Sequence, residues 1–202
     1  LKLHEERLDD NVCRLLNLTT PQPDLSRWRN FVQRVIHPTH HVRIGVVGKY
    51  IELQDAYKSI YESLTHAGAS HDCKVDIIRV DAESIEKAGP ELYLTGLQGI
   101  LIPGGFGDRG TEGKVTAARY AREKGIPYFG ICLGMQIAVI EFARNVCGLK
   151  GATSTEFDKT TPHPVISLME EQKKVKQLGG TMRLGSWVTD LVPGSKAFDL
   201  YR

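Results

Sequence analysis

From residue 42 onward, short apolar runs alternate with amphipathic stretches. Residues 42–47 form an apolar run of strand character that stops at Gly48. Asp55 then stands where an N-cap would open a helix reaching His66, with Gly68 just past its end. Residues 75–80 read as a second strand, 81–94 as a weakly helical stretch, and 99–102 as a third strand halted by Pro103-Gly104-Gly105. A helix over 111–124 closes at Gly125, a fourth strand covers 127–131, and a fourth helix runs over 134–146. In that last helix Met135, Val139, Phe142 and Val146 recur at helical spacing and are expected to face the core. The alternation predicts an α/β fold: a doubly wound, mostly parallel sheet with helices on both faces and ligand sites at the carboxyl ends of its strands.

The two flanks break this rhythm. Residues 1–42 hold two helical patches, 8–16 and 25–35, around the turn segment Thr19-Thr20-Pro21-Gln22-Pro23-Asp24. They are too few to enclose a core, so they read as a linker with a docked helix, leaving 43–202 as the principal domain. After Gly148, residues 164–168 and 181–191 look like strands of a small antiparallel extension, with a mobile loop near 170–176 between them.

Composition narrows the function classes. A formal net charge of +2 gives no electrostatic case for nucleic acid or an anionic membrane. No apolar run has the length of a bilayer span, and no signal segment opens the chain. Cys13, Cys73, Cys132 and Cys147 form no CxxC pair and no zinc-spaced cluster with histidine, which fits reduced thiols in a cytoplasmic protein and no metal site. The chain opens at Leu1 without an initiator methionine, as expected of a piece of something longer.

The chemistry concentrates in Ile126-Pro127-Tyr128-Phe129-Gly130-Ile131-Cys132-Leu133-Gly134-Met135-Gln136. Its G-x-C-x-G follows a strand and opens a helix, the cysteine form of the nucleophile elbow. Side chains at 130 and 134 are expected to collide with neighbouring backbone, and the helix N-terminus favours a thiolate. The Leu133 N–H lies beside the nucleophile as an oxyanion donor. Pro103-Gly104-Gly105-Phe106-Gly107, at the end of another strand, offers Gly105 N–H as a second. A packed cysteine in a glycine-rich turn is the plainer alternative. Gly45-Val46-Val47-Gly48-Lys49-Tyr50 is not a Walker A motif, because position 43 is Arg and position 50 is Tyr.

PGGFG followed by GICLGMQ resembles the signature pair of class I glutamine amidotransferases, a flavodoxin-like α/β family. GKYIELQDAYKSI, LIPGGFGDRG, GICLGMQIAVIEFARN, STEFD and GGTMRLG resemble, within it, the CTP synthases, and the resemblance covers nearly the whole chain. It implies that Cys132 attacks the side-chain amide of L-glutamine, releasing ammonia and leaving a thioester that water hydrolyses to glutamate. It makes Gly105 and Leu133 the oxyanion donors and Leu133, Gly134, Met135 and Gln136 the lining of the glutamine site. Glu156, in Ser154-Thr155-Glu156-Phe157, would bind the substrate ammonium. By itself Glu156 reads as a solvated loop carboxylate. The resemblance further implies no cofactor in this domain. ATP and magnesium would belong to a separate synthetase domain that turns UTP into CTP with the ammonia, and GTP would act as effector at the domain junction.

One part of that family's pattern is missing. Its base and orienter form an H-x-E pair after the nucleophile, whereas here the only H-x-E is His4-Glu5-Glu6. His163 is the one histidine after Cys132, has no acid spaced to orient it, and is expected to serve a structural role in its loop. A non-catalytic docking module and another elbow-cysteine hydrolase therefore stand beside the glutaminase reading.

Overall fold

The computed structural model describes residues 1–51, 53–169, 186 and 188–201. Leu1–Ser167 form one compact unit and Leu168–Arg202 another.

The first unit is built on four parallel strands: β1 (His40–Gly48), β2 (Cys73–Asp81), β3 (Gly99–Ile102) and β4 (Tyr128–Gly130). Their order is β2-β1-β3-β4, with His40 to Gly48 pairing in register with Cys73 to Asp81. The chain leaves β1 toward one edge and returns on its other side, so the strand order reverses between β1 and β3. In such sheets the crevice beyond the carboxyl ends at that point receives ligands. Val46 and Val47 of β1 and all four residues of β3 are buried, as expected for strands covered on both faces.

The intervening helices are α4 (Lys58–Ser70), α5 (Ala82–Ala88), α6 (Glu91–Leu94), α7 (Thr111–Lys124) and α8 (Leu133–Asn145). They follow α1 (Lys2–Glu5), α2 (Leu8–Leu15) and α3 (Ser26–Ile36), which bury no residue of their own. α3 docks on α4, with Phe31 stacked on Trp28 and meeting the edge of His66, and Arg34 donating to Ser70 O. Asp81 caps α5 by accepting from Ser84 N–H at 2.9 Å, and Gly89, at φ 82°, separates α5 from α6. α7 ends at Gly125 in the left-handed conformation.

Three expectations are corrected. A 3-10 turn at Gln54–Tyr57 takes the place expected for Asp55 as a cap, and α4 begins only at Lys58. Gly68 lies inside α4 and is a close-approach residue: a Cβ there would stand 2.4 Å from Cys73 O. The stripe Met135, Val139, Phe142 and Val146 faces away from the core, with Met135 52% and Phe142 50% exposed. Leu133, Ile137, Ile140 and Ala143 fill the interior instead. Two contacts decide between these apolar stripes. Gly134 must lie against the backbone of Ile102, and the nearly buried Glu141 must meet the Arg122 guanidinium at 2.8–3.1 Å.

The small sheet beyond α8 also differs. β6 (Pro164–Ile166) pairs in parallel with β5 (Thr153–Ser154), not with an antiparallel partner. Side-chain bonds hold the connection between them, including Thr160 to Asp158 and Thr161 Oγ1 to Gly151 O, which precedes β5. The loop expected near 170–176 and most of the strand expected over 181–191 lie outside the described residues, and Val188 to Leu191 carry no strand. The second unit contains a short helix, Lys196–Leu200, capped by Ser195 Oγ accepting from Phe198 N–H.

Candidate active site

Cys132 is exposed and sits at the N-cap of α8 with φ 54° and ψ −107°. Few non-glycine residues hold positive φ, and those that do tend to be over-determined by their surroundings. The surroundings here are glycines. A Cβ on Gly130 would stand 2.3–2.5 Å from the backbone of Gly134 and Met135, and one on Gly134 would stand 2.1 Å from Ile102 O. The expected collisions at 130 and 134 are therefore present, and both are with backbone that cannot move aside cheaply. Ile131 N–H donates to Ile102 O, and the half-buried Tyr128 donates its hydroxyl to Gly134 O at 2.6 Å, tying β4 to the first turn of α8. Burial, reinforced by the nearby Glu141 carboxylate, pushes the Tyr128 phenol well above the usual range, so it remains a donor.

The elbow leaves particular backbone groups unspent. Gly134 N–H goes to Ile131 O, while Met135 and Gln136 N–H both go to Cys132 O. Among the described residues no carbonyl takes the Leu133 N–H. The loop after β3 lies directly against the cysteine: a Cβ on Gly104 would be 3.3 Å from Cys132 Cβ and 3.8 Å from Sγ, and one on Gly105 would be 3.8 Å from Leu133 Cδ2. The two glycine-rich turns chosen from sequence thus meet. Gly104, which the sequence reading did not single out, is the nearer of the two glycines to the sulfur. Its only sequence signal was membership of the same glycine pair.

Glu156 comes to the same loop from the other side. Its Oε1 accepts Gly107 N–H at 3.1 Å, and its own N–H donates to Ser154 Oγ. Thr153 and Ser154 are buried, and Arg144 of α8 donates to Ala152 O while its other nitrogen holds both oxygens of Glu112. The strap carrying Glu156 is thereby fastened to the nucleophile helix. Cys132, Leu133 and Gly134 lie beside the Gly104–Gly105 turn, and Glu156 reaches the same loop at Gly107. Met135 opens α8 on its exposed side, and Gln136 is half-buried in its first turn. His163 immediately precedes β6, and its carbonyl accepts Thr153 and Val165 N–H.

Cationic residues near the loop were not anticipated. Lys49, after β1, donates to Phe106 O, and Arg109 returns a hydrogen bond to Lys49 O and pairs with Glu83. Lys114 in α7 is only 2% exposed, and burial, helped by Lys49 and against the pull of Glu86, lowers its ammonium to about 8. No group of three or more metal-type side chains occurs among the described residues. No helix among them is long and apolar enough to cross a membrane.

Residues 52–199 match the family Glutamine amidotransferase class-I. The chain is 58% identical over 201 residues to a CTP synthase of Carboxydothermus hydrogenoformans and 55% identical over 207 residues to one of Methanocaldococcus jannaschii. It spans 38% of the length of each of these relatives and is covered in full by both. A solved structure, the Trypanosoma brucei CTPS glutaminase domain with bound acivicin, superimposes with a TM-score of 0.60 at 44% identity. That match covers 65% of this chain and 51% of that one.

Proposed function

Because the chain belongs to the class I glutamine amidotransferases, we propose that it hydrolyses L-glutamine to glutamate and ammonia through a thioester on Cys132. The observation that carries this reading is the elbow that holds Cys132 at φ 54°, with the Gly104 position beside its side chain and Glu156 bonded to the same loop at Gly107.

In the proposed reaction Sγ bonds to the amide carbon and the amide oxygen becomes an oxyanion. The Leu133 and Gly105 N–H groups receive that oxyanion, as preorganised donors do in acyl transfer. The C–N bond breaks and nitrogen departs as ammonia after gaining a proton. Water then attacks the thioester, the C–S bond breaks, glutamate leaves and the thiol is restored. Glu156 pairs with the substrate ammonium through its carboxylate, and Gly134, Met135 and Gln136 line the glutamine site. The base that moves the protons is the H-x-E histidine expected from the family resemblance, and it is not among these residues.

The relatives that carry this chain's counterpart extend the proposal. The ammonia would go to a synthetase domain of the same polypeptide, which would hold ATP and magnesium and convert UTP to CTP, with GTP as effector at the junction. The test is labelling with a diazo-ketone analogue of glutamine, followed by peptide mapping. A single adduct on Cys132, absent in Cys132→Ala, together with ammonia release from glutamine by the full-length protein, is the expected result. No ammonia release, or an adduct elsewhere, overturns the reading.

A further inference from the structure

We propose that Glu156 is a positioning residue for the loop that supplies the oxyanion donor, in addition to its place as partner of the substrate ammonium. This rests on the glutaminase reading above and deepens it. Pro103 to Gly107 belongs to no helix or strand, and among the described residues no backbone–backbone hydrogen bond involves Gly104, Gly105, Phe106 or Gly107. A segment without a ladder of its own takes its conformation from whatever side chains hold it. Two do so here. Lys49 takes the Phe106 carbonyl from the β1 side, and Glu156 takes the Gly107 N–H from the strap. Gly107 sits at φ 79°, so its N–H is aimed by a conformation that glycine adopts freely, and Glu156 helps select it.

The consequence reaches the sulfur because the loop is short. Gly105 is two residues from the Glu156 contact, and a Cβ on Gly104 would stand 3.3 Å from Cys132 Cβ. An N–H must lie within a few tenths of an ångström of its productive place to stabilise an oxyanion. Releasing Gly107 therefore loosens the donor. A carboxylate also has two oxygens, and one bond to Gly107 N–H leaves the other for an ammonium. Substrate recognition and formation of the oxyanion hole are thus joined in one side chain: substrate that engages Glu156 engages a group already bonded to the loop.

Two measurements on the full-length protein test this. The first is hydrogen exchange in the peptide spanning Pro103 to Arg109, which needs no catalysis. Faster exchange in Glu156→Ala than in wild type, with Glu156→Gln close to wild type because its amide oxygen still accepts, is expected. Equal exchange in all three proteins overturns the proposal. The second is ammonia release from glutaramate, which is glutamine without its α-amino group. An ammonium partner alone predicts no loss on this substrate, whereas a loop clamp predicts that Glu156→Ala falls about tenfold or more below Glu156→Gln. Equal rates for the two variants overturn the clamp even if both hydrolyse glutamine poorly. If Glu156→Ala exchanges faster than wild type but wild type releases no ammonia from glutamine, the clamp stands as structure and the glutaminase reading falls. Far-ultraviolet circular dichroism on both variants shows that each is folded.

Discussion

Cys132 occupies a backbone conformation that costs an L residue of order 1–3 kcal/mol, and the glycines on either side are what hold it there. A second residue carries a comparable burden for a different reason. Lys114 keeps its ammonium inside the protein near Lys49 and Arg109, with Glu86 as its compensating charge. Its folded pKa of about 8 lies below the ordinary lysine value of 10.5. Between those values the unfolded chain holds a proton that the folded chain has released, so this residue's contribution makes stability rise with pH across that window. Below it, the lysine is charged in both states and its burial opposes folding. Lys114→Met is therefore expected to stabilise the protein at pH 7 by roughly 1–3 kcal/mol, and to lose that advantage by pH 10. Thermal denaturation of both proteins across that range checks it, and an advantage that grows with pH contradicts it. Nothing in the pattern marks Lys114, since in α7 it reads as one more cation among Arg119, Arg122 and Lys124.

Helix α8 shows where pattern reading stops. Its extent was legible to within a residue at each end, because Gly134 and the end of the apolar run mark it. Its orientation was not, since Leu133, Ile137, Ile140 and Ala143 and the row Met135, Val139, Phe142 and Val146 are both apolar at helical spacing. Periodicity fixes the angle between two such faces and leaves open which one looks inward. The contact of Gly134 with Ile102 and the pairing of Glu141 with Arg122 settle it through partners distant in sequence. Ile137→Ala is accordingly expected to cost about 2–5 kcal/mol, and Phe142→Ser under about 1 kcal/mol. Chemical denaturation of the two variants checks the assignment, and the reverse order would return the core to the other face. The same limit explains the strap. The short strand at 164–166 was legible, but its partner was not: the two residues Thr153 and Ser154 are too few to leave a pattern.

Across the molecule, the candidate site joins segments that follow β3, β4 and β5, and the bond between Gly107 and Glu156 spans 49 residues. Two of them announced themselves through glycine and cysteine, whose backbone requirements are visible in a single chain. Glu156 came only through family resemblance, because a lone glutamate in a loop has no spacing that marks it. The N-terminal helices dock through α3 and bury none of their own residues.

The seating of Gly134 on Ile102 O sets a mechanical tolerance for all of this. The nucleophile helix and the end of β3 meet backbone to backbone, so the gap between cysteine and loop is gauged by covalent geometry, and the fit of side chains does not enter it. Looseness elsewhere in the interior should then leave the gap unchanged. Ile85→Ala, which empties a fully buried site under α5, is expected to lower the melting temperature yet leave the Cys132 alkylation rate near wild type well below it. Gly134→Ala, the smallest possible shim, is expected to alter that rate sharply. Iodoacetamide kinetics on the two variants measure the difference. A protein built this way can drift through much of its core while the dimension that matters to the sulfur stays in calibration.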